Sequence, residues 1–439
     1  MSKHTGMISI ISDRKKFRYI LLILIPVIII IMWQCSSPYT ATGTRWNLSA
    51  IYNPASSQIH PSFRVYHNTD EQSLLLVKLF PNELLFSQAN TSGEFLSRVS
   101  VQLQAYEIVD DKPVMVDSVT YPYTLKQENV GRRFLAQIPF KAEMGKRYQL
   151  RIVTRDLLRH DFNLRFVDVD KTSRFSDQNF KISSQNNTPF FNNVLAEGSI
   201  YKIEHRDKSY KTIFIDYYKN ETPLPSPTFA KNIDERFYSK PDSTYIIDYT
   251  PGMYFAFSYE GLFHFRFDTT VTEGLTIVNF GRDFPKVKTP KELVEPLAYL
   301  TTSADYEKLL AAENKKLAVD NYWLGIAGST GRARELIRIY YNRVYYTNYY
   351  FSGNKPGWKT DRGMVYIVYG PPQNMEKGPD SEKWLYYFKG ASSSITFTFN
   401  YKPNAFNIDN YELQRSESHD WHWREAVDTW RSGEIFLLD

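Results

Sequence analysis

Apolar and polar residues change places one by one along several stretches of this chain, and that period of two constrains the fold more than any other feature. Ile395, Phe397, Phe399 and Tyr401 alternate with Ser394, Thr396, Thr398 and Asn400. Val99, Val101, Leu103 and Ala105 alternate with Ser100, Gln102 and Gln104, and Tyr148, Leu150 and Ile152 with Gln149 and Arg151. Successive side chains of a strand point to opposite faces, so each run reads as a strand with one wet face. With 32 Tyr, 29 Phe and 8 Trp, the composition favours the same pleated, half-buried surfaces.

Short strands at hairpin spacing define residues 61–171, where Asp110-Asp111-Lys112-Pro113 supplies a turn. An immunoglobulin-like β-sandwich is expected there. Residues 172–285 hold a second β-rich domain, with strand-like runs at Lys211–Tyr218, Thr244–Tyr249, Met253–Tyr259 and Leu262–Phe267, and a turn at Pro251-Gly252. Pro223, Pro225 and Pro227 mark a loop or an edge, because proline cannot donate to a central ladder.

The pattern changes over 286–439, which reads as an α+β domain of helices followed by an antiparallel sheet. Thr289-Pro290-Lys291-Glu292 combines an N-cap, a proline at the first helical position and a capping-box glutamate. Ser303 is expected to cap a second helix with Tyr306, Leu309, Leu310 and Leu317 on its apolar stripe, and Ala333 to Val344 a third. Gly325 to Gly331 reads as an interhelical loop. Met364–Tyr369, Lys383–Phe388 and Ser394–Tyr401 are expected as strands.

Arg14, Lys15, Lys16 and Arg18 precede an uninterrupted apolar stretch from Tyr19 to Trp33, and Cys35, the single cysteine of the chain, follows directly. A basic start and a short apolar segment have the form of a secretory signal. Cys35 at its end resembles the lipid acceptor of bacterial lipoproteins, although Met32, Trp33 and Gln34 depart from the usual small residues before it. An uncleaved signal anchor is the rival reading. Residues 1–35 are thus an anchor, and polar residues 36–60 a linker. One cysteine allows neither an internal disulfide nor a cysteine-based zinc site.

The most specific local pattern is Gly357-Trp358-Lys359-Thr360-Asp361-Arg362-Gly363, running into an apolar stretch that stops at Gly370-Pro371. It resembles the GWxTD domain family of exported, often lipoprotein-type proteins of Bacteroidetes and related bacteria. That family has no established chemistry to carry over. From the residues alone, Gly357 and Gly363 permit tight turns, Trp358 buries a large side chain, and Thr360 or Asp361 bonds loop amides. Asp361 beside Arg362 is alternatively half of a polar binding site. The helices, the Gly-Pro stop, Trp384-x-Tyr386 and a Thr-Phe-Thr-Phe strand also look like the small ααβββ lipoproteins of outer-membrane β-barrel assembly.

Chemistry is scarce. His419 and His422, three residues apart, are weak metal candidates without a third ligand. There is no Gly-x-Ser-x-Gly elbow and no phosphate loop, and Asp248, Glu260 and Asp268 are only nominal carboxylates for a glycosidase-like cleft. No cofactor is indicated. A net charge of +5, spread along the chain, does not suggest nucleic acid as a partner. The expectation is a membrane-anchored, periplasm-facing envelope protein, on the outer membrane rather than the inner, that binds or scaffolds another envelope protein without catalysis. The alternative is a tethered carbohydrate-binding protein or hydrolase.

Overall fold

The computed structural model describes residues 47–88, 93–195, 200–219, 222–230, 240–388, 394–406 and 409–436. These lie in one compact unit, Trp46–Asp439. The anchor and Cys35 fall outside the described residues.

The first β region has two antiparallel sheets. One contains β1 (Ser62–His67), β2 (Gln72–Leu79) and β6 (Phe134–Lys141), in the order β1-β2-β6. The other contains β3 (Ser87–Gln88), β4 (Phe95–Val109), β5 (Lys112–Lys126), β7 (Arg147–Asp156) and β8 (Asp161–Asp170), with β4 flanked by β5 and β7. Val65, Leu75 and Ile138 of the first sheet share one apolar core with Val101, Leu103 and Leu150 of the second. The period of two produces this packing, since the inward residues of β4 and β7 are those the alternation selects. Asp110 and Asp111 turn the chain with φ of 47° and 59°, a conformation that short polar side chains tolerate.

The second β region repeats the plan with β9 (Phe180–Ser183), β10 (Ile200–His205) and β13 (Tyr254–Ala256) in one sheet. The other holds β11 (Thr212–Tyr218), β12 (Ser243–Asp248), β14 (Gly261–Arg266) and β15 (Leu275–Asn279), in the order β12-β11-β14-β15. Phe255, Phe257, Phe263 and Phe265 interlock edge to face in its core.

Six helices follow: α1 (Pro290–Val294), α2 (Ser303–Ala311), α3 (Lys315–Ala327), α4 (Thr330–Phe351), α5 (Asp361–Tyr369) and, after the last strands, α6 (Asp420–Arg431). Between α5 and α6 lies a four-stranded antiparallel sheet of β16 (Asn374–Lys377), β17 (Ser381–Tyr387), β18 (Ser394–Tyr401) and β19 (Tyr411–Leu413), in chain order. The expected capping box closes α1: Thr289 Oγ1 accepts from the Glu292 amide at 3.3 Å and the Glu292 carboxylate accepts from the Thr289 amide at 2.8 Å.

Four local expectations are corrected. Met364–Tyr369 is not a strand but the body of α5. All nine residues of that helix are buried, so its apolar run carries no periodicity, and packing overrides the β preference of Val365, Ile367 and Val368. Thr302, not Ser303, caps α2, and Leu317 lies on α3, 54% exposed, outside any apolar stripe. The turn between α3 and α4 is confined to Gly328 and Ser329, with Gly328 at φ 68° and Gly325 and Gly331 inside helices. Finally, the chain from Asn47 onward is not a linker. Leu48, Ile51 and Tyr52 are buried in the core of the C-terminal α+β region, and the Leu48 amide donates to the Met375 carbonyl at 2.8 Å.

Candidate functional site

The Gly357 to Gly363 segment is where α4, α5 and β19 meet. Gly357 packs directly on α4: a Cβ there would lie 1.9 Å from the Thr347 carbonyl oxygen, and one on Gly363 would lie 1.9 Å from that of Gly357. Neither has a positive φ, so close approach and not a tight turn is what demands glycine at both positions. The Trp358 amide donates to Asn348 Oδ1 at 3.1 Å, Tyr299 donates its hydroxyl proton to the Trp358 carbonyl at 2.7 Å, and the indole is buried. Thr360 Oγ1 accepts from the Gly363 amide at 2.9 Å and donates to the Gly357 carbonyl at 2.7 Å, which starts α5. At the other end Gly370, at φ 86°, and Pro371 stop it. Buried Arg343 caps the helix by donating to the Ile367 and Val368 carbonyls at 3.0 and 2.9 Å, and burial pushes its guanidinium down to about 10.

Asp361 and Arg362, adjacent in sequence, point to different partners. Asp361 accepts two bonds from Arg415, at 2.6 and 3.1 Å, and one from the Leu413 amide at 2.7 Å. Arg415 in turn donates to the carbonyls of Ser226 at 3.0 Å and Pro227 at 3.3 Å. Those carbonyls belong to residues 222–230, in the first half of the connection from β11 to β12. Two antiparallel neighbours need only a two-residue turn. Here the chain instead leaves the second β region and lies across the α+β region as a strap, without regular structure over 222–227 and turning at 228–230, where the Ala230 amide donates to the Pro227 carbonyl at 3.1 Å. Lys359 Nζ donates to the Thr222 carbonyl at 3.2 Å, the Ser416 amide donates to the Thr228 carbonyl at 3.1 Å, and Arg424 lies over the Phe229 ring at 5.5 Å. The proline triplet read as a loop or edge is this strap. Cavities of about 550 and 500 Å³ flank it.

Arg362 points the opposite way, into a buried ionic cluster. It contacts Glu382 at 3.4 Å and Asp409 at 3.0 Å, and its guanidinium lies 4.5 Å from the Tyr411 ring centre. Lys377 reaches Glu382 at 3.1 Å and Asp168 at 3.8 Å, and the Tyr52 hydroxyl donates to Glu382 at 2.9 Å. Burial works against the charge of Glu382, but Lys377 and Arg362 outweigh it and hold the carboxyl below its usual range. The cluster forms one wall of a cavity of about 610 Å³ that Phe63, Phe166 and Phe191 of the β regions and Tyr350 of α4 also line. Asn348, fixed by Trp358, is part of the same wall.

The remaining candidates are taken up locally. His419 Nδ1 sits 3.1 Å from the Thr228 carbonyl oxygen, and His422 stacks on Phe388 at 4.5 Å. Among the described residues no group of three His, Cys, Asp or Glu is placed to hold a metal. Asp268 accepts from the amide and hydroxyl of Thr270, and no hydrogen bond or ion pair among the described residues joins it to Asp248 or Glu260. One constellation had no signal in the sequence. Ser73 Oγ lies 2.9 Å from His67 Nδ1 and 3.2 Å from Lys171 Nζ, the residue types of nucleophilic catalysis. All three are 0% exposed, so no substrate reaches them. They bind strand ends together, with Lys171 also donating to the carbonyls of Gln72 and Ala142.

The fold has two β regions and an α+β region within one compact unit, and the central motif of the last is spent on joining elements. Residues 261–432 match the family model of the GWxTD domain, and the chain is a GWxTD domain-containing protein. No curated protein matches the chain. Among solved structures, the crystal structure of Bacteroides uniformis beta-glucuronidase aligns with a TM-score of 0.18 at 10% identity, covering 31% of this chain and 16% of that one. A likeness at that level carries no argument about fold or activity.

Proposed function

We propose that this protein is a membrane-tethered, non-catalytic binding module of the bacterial cell envelope, in which the GWxTD domain grips an irregular, proline-containing segment of another envelope protein. The observation that carries this reading is the strap. Lys359 and Arg415, the second oriented by Asp361, hold main-chain carbonyls of an irregular, proline-containing segment, while apolar walls take up its Leu224 and Phe229. Main-chain hydrogen bonds combined with pockets for side chains are one recurring mode of peptide recognition. The residues 222–230 stand in for a partner segment of the same chemistry, and the flanking cavities leave room beside them.

Tethering is supported by the basic cluster, the apolar run and Cys35. Among the described residues no helix is long and apolar enough to cross a membrane, and the proposal assigns the tether to that N-terminal segment. A periplasm-facing position, outer membrane ahead of inner, is part of the proposal. The test is cross-linking in membranes followed by extraction and mass spectrometry, on the native protein, an Arg415→Gln variant and a Cys35→Ala variant. The expected result is a lipid adduct on Cys35 and a partner whose cross-linked stretch is proline-containing, mapped beside Arg415 and reduced in Arg415→Gln. A partner mapped elsewhere and indifferent to Arg415, or no partner, contradicts the reading.

A further inference from the structure

Two cations in the wall of the 610 Å³ cavity lack a carboxylate partner among the described residues. Lys78, on β2, points its ammonium over the rings of Phe80 at 5.3 Å and Phe191 at 5.0 Å. Arg165, on β8, donates to the carbonyls of Ile51 at 2.7 Å and Leu164 at 3.3 Å and lies 5.8 Å from the Tyr350 ring centre. The carboxylates that reach the cavity, Asp168, Glu382 and Asp409, are engaged by Lys377 and Arg362. Lys78 and Arg165 thus line the cavity without an ion pair among the described residues, and both sit against aromatic wall.

A half-buried ammonium with no counter-ion is costly, and burial, with Arg133 adding to it, depresses the Lys78 amine. An anion beside it removes that cost. Phe63, Phe80, Phe166 and Phe191 would at the same time cover an apolar body, and the volume falls in the range of small-molecule sites.

We infer that the cavity where the three regions meet binds an amphiphilic anion, one carboxylate or phosphate head on an apolar chain of about eight to twelve carbons, with Lys78 as its principal counter-charge and Arg165 as the second. A fatty acid and an alkyl phosphate share this chemistry. The inference is independent of the partner proposed above, because Lys78 and Arg165 make no contact with the strap.

The experiment is calorimetric titration of the full chain, held in phosphatidylcholine nanodiscs, with octanoate, octyl phosphate, octanol and octyltrimethylammonium, using empty nanodiscs as blank. Saturable one-to-one binding of the anions is expected, at least tenfold tighter than the alcohol or the cation, and the preference between the two anions assigns the head group. Lys78→Gln should weaken anion binding at least tenfold with an unchanged melting temperature, and Lys78→Arg should restore most of it. Equal binding of all four probes, no saturable binding, or full anion affinity in Lys78→Gln overturns the inference. If Lys78→Gln fails to fold, the comparison of the four probes on the native chain still decides.

Discussion

Asp361 and Arg415 form a two-bonded pair at 2.6 and 3.1 Å, with each side chain only 9% exposed. Removing one member leaves the other charged and buried, which costs about 3–5 kcal/mol. Asp361→Ala should therefore lower stability by about that amount in urea unfolding, and Arg415→Gln should in addition speed amide hydrogen exchange over residues 222–230. An Arg415→Gln protein with wild-type exchange there would show that the strap is held by something else.

Steric demand at the motif glycines gives a second prediction. Gly357→Ala should destabilise by about 3 kcal/mol or more, since the new methyl meets only α4 backbone, at the Thr347 carbonyl and the Asn348 Cα. Gly325→Ala, inside α3 with nothing within 4 Å, should instead stabilise by about 0.5–1 kcal/mol. Melting temperatures of the two variants should move in opposite directions, and parallel shifts would refute the packing argument.

Much of the secondary structure was legible in the sequence because it is written locally. The alternation in β18 and the capping box at Thr289 need only neighbours along the chain. Helix α5 was not legible, because a helix buried on every side shows no wet face to fix its period. The partners of Asp361 and Arg362 were hidden for a different reason. Arg415 is 54 residues away and Tyr52 is 310 residues from Arg362, and only the fold brings such groups together. The proline triplet did mark the strap as irregular, but not what it lies against.

Buried histidines set a pH dependence. Burial pushes His67 and His264 down to about 4, so both stay neutral in the folded chain while an unfolded histidine takes up a proton near 6.5. The unfolded state therefore binds more protons between these values. Stability is full above about pH 6.5 and is lost as pH falls towards 4, by up to about 3 kcal/mol for each histidine. The urea midpoint should fall between pH 7 and pH 5, and His264→Gln should flatten that slope. A midpoint unchanged over this interval would contradict the assignment.

The central claim is that the GWxTD domain is a receptor for irregular, proline-containing chain. It is tested most directly by replacing residues 222–230 of the full chain with a Gly-Ser segment of equal length and titrating it with a synthetic peptide of the native stretch. The account predicts saturable binding that is lost on adding Arg415→Gln and weakened when Pro223, Pro225 and Pro227 are alanine in the peptide. A folded, strap-replaced protein that does not bind the peptide, or binds the alanine version equally well, would contradict it.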